Sequence, residues 1–343
     1  MTRYILLTFI VLFSFAHVNC SAIANAISAL QCDEWLQQET SSDLNELCRE
    51  LEGYVDTDTS TFSTSVSQVM PTNDIATTKR IYVLLTDSSG NPITTVDRED
   101  VTVEVSTDGG TTYDDVAIDD VGNLEDVNAL QASLGMVIDY SGSVTDSDLA
   151  DVNTGLDMFF DVVMDTDVSS VFQSAIIKFS EEVTVVQDFT STKATLLTAV
   201  NDTSYTRTYT SMYDAIYDGV DEIKEETTSL NLLIVFTDGL DNDSTHTKTE
   251  AVSYAQDNDV PVCMVGVSFA DVATLQEIAE DTGCFFIYKT FFTDLDLAFE
   301  TLADQINGMN VIDLDDSFSE TAGILKITID VGEAAAREIT HQF

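Results

Sequence analysis

A chain of 343 residues, 44% of them apolar, is long enough for about two domains with buried cores. Its 61 acidic residues against 13 Lys and Arg give a formal charge of −48, which makes nucleic acid and anionic membranes poor partners. Self-repulsion at this charge weakens as the screening length shrinks from about 8 Å at physiological salt to about 3 Å at 1 M, so the composition suits a salty or divalent-rich habitat as well as simple solubility.

Residues 1–26 read as a secretory signal: Arg3, an apolar run from Tyr4 to Ala16, then small residues offering cleavage after Ala24 or Ala26. An uncleaved anchor is the competing reading, but the run is shorter than the roughly 20 residues a spanning helix needs. Cys20 follows His17, Val18 and Asn19, without the small residue that precedes a lipid-modified cysteine. The expected location is outside the cytoplasm: secreted, periplasmic or at the cell surface.

Residues 27–56 carry apolar positions at helical spacing on either side of "ETSSD" and predict a small helical hairpin. Residues 57–76 are rich in Ser and Thr with little periodicity and read as a linker. Residues 77–130 turn to β character. "RIYVLLTD" leads to a turn cluster, and "DVTVEVSTDGGTTYDDVAI" alternates around Asp108-Gly109-Gly110, a hairpin signal. "GILKITIDV" in residues 309–343 alternates in the same way, so both ends of the β-rich region are expected to complete one accessory β-sandwich.

Residues 131–308 have another rhythm. Short apolar runs at Leu134 to Ile138, Ser174 to Phe179, Val183 to Val186, Leu230 to Phe236, Val260 to Val267 and Cys284 to Tyr288 mostly alternate with helical patterns. Those helices fall near Ser147 to Val163, Thr192 to Val200, Ser211 to Glu226, Thr247 to Asp257, Val272 to Asp281 and Leu295 to Ile306. Strands that are apolar throughout are buried on both faces, so the fold class is α/β: a doubly wound, mostly parallel, Rossmann-like sheet. "FSEEVTVV" leaves only a short turn before its strand, which predicts an antiparallel edge.

Four cysteines follow the signal, and their local clustering favours Cys32 with Cys48 and Cys263 with Cys284 among three connectivities. A buried free Cys263 is the alternative.

In a doubly wound sheet, ligands sit at the carboxyl ends of strands where the strand order reverses. Asp139 stands just past the first apolar strand, Asp238 one Thr past "NLLIVF", and Thr210 just before a helix, so all three are expected at that edge. Alone, Asp139-Tyr140-Ser141-Gly142-Ser143 is a weak signal in an Asp-rich chain. Placement and order strengthen it. "MVIDYSGS", "YTSMYDAIYDGV" and "LLIVFTDGLDN" closely resemble the von Willebrand factor A (VWA) domain and its metal-ion-dependent adhesion site, MIDAS. The resemblance covers about half the chain, and "RIYVLLTDSSGNPITTVDREDVTVEV" is similar to the β segment that often precedes this domain in exported bacterial proteins.

The resemblance implies Asp139, Ser141, Ser143, Thr210 and Asp238 as ligands of Mg²⁺, or of Mn²⁺ or Ca²⁺, with the carboxylates binding directly or through water. Many relatives carry Gly-Gly before the Thr, where this chain has Thr208 and Tyr209. The chemistry stands on its own: hydroxyls supply oxygen without charge, so two carboxylates leave a hard cation able to accept one more anionic oxygen. The expected partner is a protein presenting Asp or Glu, with no small-molecule substrate and no catalysis. A structural role, with the metal only stabilising the fold, is the alternative. Asp214, at the start of a helix, reads more readily as a helix-end acid than as part of the site; Met212 and Tyr213 read as packing, Asp241 and Asp243 as a solvated loop. A hydrolase would need His246 or His341, and the chain has no G-x-S-x-G elbow.

Overall fold

The computed structural model describes residues 67–70, 75–87, 90–123, 131–164, 171–202, 208–228, 230–332 and 336–343, all within the unit Ser60–Phe343. The expected signal sequence, the helical hairpin and the Cys32–Cys48 pair lie outside these residues. The β-rich part contributes β1 (Ser67–Met70), β2 (Arg80–Leu85), β3 (Val101–Ser106), β4 (Asp114–Val116) and β5 (Ile118–Asn123). The α/β part follows as β6 (Gln131–Asp139), α1 (Asp146–Val163), β7 (Val171–Phe179), β8 (Val183–Thr190), α2 (Lys193–Asn201), α3 (Met212–Ile223), β9 (Leu230–Thr237), α4 (Lys248–Asp257), β10 (Val262–Val267), α5 (Val272–Asp281), β11 (Phe286–Lys289) and α6 (Leu295–Asn307). The chain then returns to the β-rich part with β12 (Asn310–Leu314), β13 (Ile324–Ile329) and β14 (Arg337–Gln342).

The six-stranded sheet has the order β11-β10-β9-β6-β7-β8. All its pairings are parallel except β7 with β8, the antiparallel edge expected from the short turn. Its interior strands, such as β9 and β10, are apolar along most of their length because both faces are covered, whereas the edge strand β8 is half-exposed. Leu134, Met136 and Ile138 of β6 and Leu232, Ile234 and Phe236 of β9 join α1 and α6 in one core. Val137, Leu233 and Val235, between them in sequence, join α3, α4 and α5 in another. A Cβ on Gly135 or Gly219 would lie 2.7 or 2.9 Å from Leu233 Cδ1, so bare backbone there lets α3 settle onto the sheet. The buried Cys263 and Cys284 form a disulfide joining β10 to the approach to β11.

Two four-stranded antiparallel sheets, β1-β2-β12-β5 and β14-β13-β3-β4, make up the rest. They share a core of Ile81, Val83 and Leu85 against Val103, Leu325 and Ile327, a β-sandwich built from both sides of the α/β segment. Tyr82 and Leu84, on the opposite face of β2, belong instead to the core containing α1 and α6. The β1-β2-β12-β5 sheet is therefore a middle layer with both faces covered, which explains why β2 is buried from Ile81 to Leu85. The segment read as a linker also holds a strand: β1 pairs antiparallel with β2, and Val69 and Met70 are buried. Four residues are too short to show periodicity among Ser and Thr; burial beside β2 decides their conformation.

Candidate metal centre

The chain leaves β6 to β7 on one side and reaches β9 on the other, so the strand order reverses between β6 and β9. Their carboxyl ends open a crevice at that point. The parallel register pairs Ile138 with Phe236, which brings Asp139 level with Thr237 and places Asp238 one residue beyond.

Asp139 is fully buried. Its Oδ1 accepts the Ser141 amide at 2.7 Å and its Oδ2 accepts the Thr237 hydroxyl at 2.6 Å, so a turn and the neighbouring strand fix its plane. Ser141 Oγ lies 3.0 Å from Ser143 Oγ, and Ser143 Oγ donates to Asp238 Oδ1 at 2.7 Å. Ser143 Oγ and Thr210 Oγ1 each lie 3.9 Å from where a Cβ on Gly239 would stand, so both hydroxyls face the same short stretch of backbone. The structure thus brings the oxygens of Asp139, Ser141, Ser143 and Asp238 into one chain of contacts, with Thr210 across Gly239.

Burial pushes the Asp139 carboxyl above its ordinary value against the hydrogen bonds from Thr237 and Ser141. Burial, with the charge of Asp139 and then Asp148, pushes Asp238 up to about 6. Among the described residues no Lys or Arg pairs with either acid. Two buried carboxyls, both raised by burial and Asp238 also by the charge of Asp139, beside three neutral hydroxyls, form a donor set that fits a small hard cation. Among the described residues no cluster of three His, Cys, Asp or Glu suits a softer metal.

Thr210 precedes α3, whose N-cap residue Ser211 offers no side-chain cap. The loop after Asp238 supplies the cap. Asp241 Oδ2 accepts the Tyr213 amide at 3.1 Å, and Ser244 Oγ accepts the Asp214 amide at 3.1 Å. Asp241 is therefore a helix cap rather than a solvated acid, whereas Asp243 is exposed. Asn242 grips Thr210 twice: its Oδ1 accepts the Thr210 amide at 3.0 Å and its amide donates to the Thr210 carbonyl at 2.9 Å. Asp214 completes the joint, accepting the Thr245 and His246 amides at 2.9 and 2.8 Å and engaging His246 Nδ1 at 2.7 Å. Burial alone would raise the Asp214 carboxyl, but these bonds outweigh it and hold it low.

The departure at Thr208 and Tyr209 is accommodated by Glu181 and Ser180. Glu181 Oε2 accepts the amides of Thr208 and Tyr209 at 3.0 and 3.5 Å, and Ser180 Oγ donates to the Tyr209 carbonyl at 2.9 Å. Sequence reasoning missed Thr237, Asn242 and Glu181 as parts of the site. The first two stand inside the quoted motif "LLIVFTDGLDN"; Glu181 carries no local signal. Met212 and Tyr213 pack against the second core as expected.

Residues 134–302 match the von Willebrand factor type A domain. The match spans just under half the chain and coincides with the six-stranded sheet and its helices. Solved structures similar to this chain include the vWF domain of the type V pili tip protein Mfa5 from Porphyromonas gingivalis, 14% identical with a TM-score of 0.44, covering 53% of this chain and 96% of that one. A von Willebrand factor type A protein from Catenulispora acidiphila is 12% identical with a TM-score of 0.47, covering 73% of each chain. Proximal thread matrix protein 1 from the mussel byssus, in a structure with a zinc-occupied MIDAS motif, is 18% identical with a TM-score of 0.42, covering 55% and 48%. No curated protein matches the chain. Within the matched residues the crevice between β6 and β9 holds all five residues that the sequence motifs single out. His246, the candidate base of a hydrolase, is bonded to Asp214 and stacked 4.1 Å from the Tyr217 ring, while Ser141 Oγ contacts Ser143.

Proposed function

We propose that the chain is an exported adhesion protein that captures an acidic side chain of a protein partner on a divalent cation. Asp139, Ser141, Ser143, Thr210 and Asp238 would hold the ion, which is Mg²⁺, or Mn²⁺ or Ca²⁺ in its place. The carrying observation is that Ser143 Oγ links Ser141 Oγ at 3.0 Å to Asp238 Oδ1 at 2.7 Å, drawing oxygens from the ends of two strands to one point. When bound, the ion would supply an electrophilic site for one further carboxylate oxygen. The protein's own groups do the positioning: Thr237 and the Ser141 amide orient Asp139, and Asn242 fixes Thr210.

Export is supported by the signal-like residues 1–26 and by the disulfide between Cys263 and Cys284, a bond that persists in oxidising compartments. The reading divides the chain into a signal at 1–26, a helical hairpin at 27–56, a linker ending before β1, the β-sandwich and the VWA domain. No catalytic step is assigned.

The test is metal-dependent capture of protein from the native surroundings by wild type and Thr210→Val, with Mg²⁺ or with chelator. Thr210→Val removes one ligand oxygen and keeps the shape, whereas Asp139→Ala would also orphan the Ser141 amide and the Thr237 hydroxyl. Capture that chelator and Thr210→Val both abolish is the expected result. Capture indifferent to both would refute the reading. Loss of thermal stability in chelator, with capture unchanged, would favour the scaffold alternative.

A further inference from the structure

The ligand oxygens decide where a carboxylate is held, not which carboxylate is chosen. Among the described residues six large apolar side chains are exposed, and the most exposed four are Phe269 at 73%, Leu240 at 58%, Leu297 at 52% and Tyr209 at 51%. All four stand on segments at the carboxyl edge of the six-stranded sheet. Phe269 follows β10, Leu240 follows β9, and Leu297 is in the first turn of α6 after β11. Tyr209 is tied to Ser180 at the end of β7. Met158 and Val185, the less exposed pair, lie within α1 and β8.

Single exposed apolar residues are ordinary on any protein surface. Three of these differ in place and in rigidity. The register pairs Gly266 of β10 with Thr237 of β9, and Phe269 and Leu240 each lie three residues beyond that pair, on the turns that leave neighbouring strands at the same edge of the sheet. Leu240 adjoins Gly239, which faces the hydroxyls of Ser143 and Thr210, and Tyr209 adjoins Thr210 itself. Leu240 and Tyr209 therefore border the candidate metal centre, and Phe269 stands on the turn after the next strand.

Their backbones are pinned. Ser268, just before Phe269, has φ 58°, a region that residues with side chains rarely adopt. Its amide donates to the Lys289 carbonyl at 3.1 Å, and Tyr288 Oη donates to its carbonyl at 2.8 Å. Tyr209 is fixed by Glu181 and Ser180, and Leu240 is flanked by the bonds of Gly239 to Thr237 and of Asn242 to Thr210. Apolar side chains displayed on fixed backbone lose little freedom on binding. On a chain of formal charge −48, they also add contact area without adding charge that would repel an acidic ligand.

We propose that Tyr209, Leu240 and Phe269 form an apolar rim that selects a polypeptide segment whose Asp or Glu is flanked, within a few residues, by aromatic or branched aliphatic side chains. The inference rests on the carboxylate-capture reading given above and specifies the partner that it leaves open.

The test is selection from a displayed peptide library with one fixed Glu among random positions, using the full chain with Mg²⁺ or with chelator. The comparison protein is the variant Tyr209→Ser, Leu240→Ser, Phe269→Ser, with Phe269→Ser alone as the milder alternative. The expected result is Mg²⁺-dependent enrichment of peptides with apolar residues beside the Glu. The variant should bind them at least about tenfold more weakly, while its Mg²⁺ affinity by calorimetry stays within about twofold of wild type. Mg²⁺-dependent enrichment without an apolar preference, or with the same preference in the variant, would overturn the rim and leave carboxylate capture standing. Enrichment that ignores Mg²⁺ and survives replacement of the fixed Glu by Gln would remove both, as would no enrichment at all. A wild-type dimer in sedimentation that the variant abolishes would assign the patch to a second copy of the chain and also overturn the proposal.

Discussion

In chelator, the buried charge of Asp238 should have a measurable cost. Asp238 is only 2% exposed, and burial beside Asp139 raises its carboxyl to about 6 from an ordinary value of 3.8. A difference of about two units corresponds to about 3 kcal/mol, unfavourable to the folded state when Asp238 is ionised. The sign follows from linkage: the folded state binds this proton more tightly than the unfolded state does. The associated stability is fully present below pH 3.8 and is lost as pH rises through about 6. Asp238→Asn keeps an oxygen to accept from Ser143 and removes the charge. In chelator at pH 7.5 the variant should be more stable than wild type by about 1 to 3 kcal/mol in urea denaturation, the lower figure allowing for the amide's imperfect fit. The gap should close toward pH 4, where the wild-type Asp238 is itself protonated; acids remote from Asp238, unlike Asp139 and Asp148, cancel in the difference between the two proteins.

Adding Mg²⁺ should reverse the order. A ligand at 100 times its Kd stabilises the folded state by about 2.7 kcal/mol, and the variant lacks a ligand oxygen charge with which to gain it. A variant less stable than wild type in chelator at pH 7.5 would refute the reasoning, because it would mean that the Asp238 carboxylate is satisfied without a cation.

Asn242→Ala should weaken Mg²⁺ binding by about tenfold in calorimetry and cost about 1 kcal/mol in stability, since it frees the Thr210 amide; unchanged affinity would show that Thr210 is placed without it. The double variant Cys263→Ala, Cys284→Ala should lose about 3 kcal/mol in denaturation, as expected for opening a loop of 21 residues, and a loss near zero would contradict the disulfide. Partner binding should persist as NaCl rises to seawater strength, because salt screens the repulsion between an acidic surface and an acidic ligand; binding measured by surface plasmon resonance that falls steadily with salt would refute this.

The α/β segment was legible because its interior strands are buried on both faces and its helices on one. Continuous apolar runs such as "NLLIVF" and spacings such as that of Leu149, Val152, Leu156 and Phe159 are written locally. Asp139 and Asp238 were placed at the sheet edge for the same reason: each follows the end of such a run. Nothing local distinguishes Ser67–Met70 from the Ser/Thr-rich residues before it, and its strand exists because β2 lies alongside. In "RIYVLL" the apolar run from Ile81 to Leu85 fits burial on both faces, but which two cores cover it depends on what packs on each face.

By itself the sequence determined the kinds and order of the elements in the α/β segment and marked five oxygen-bearing candidates, because hydrophobic period and motif order are properties of neighbours along the chain. Only the tertiary structure decided what holds those oxygens in place. Asn242 reaches Thr210 across 32 residues, Thr237 reaches Asp139 across 98, and Glu181 reaches Thr208 across 27. Hydrogen bonds of that span depend on strand order and register, which bring together residues that no local spacing marks as partners. The same holds for Phe269 and Leu240, whose shared edge follows from the parallel register of β10 with β9.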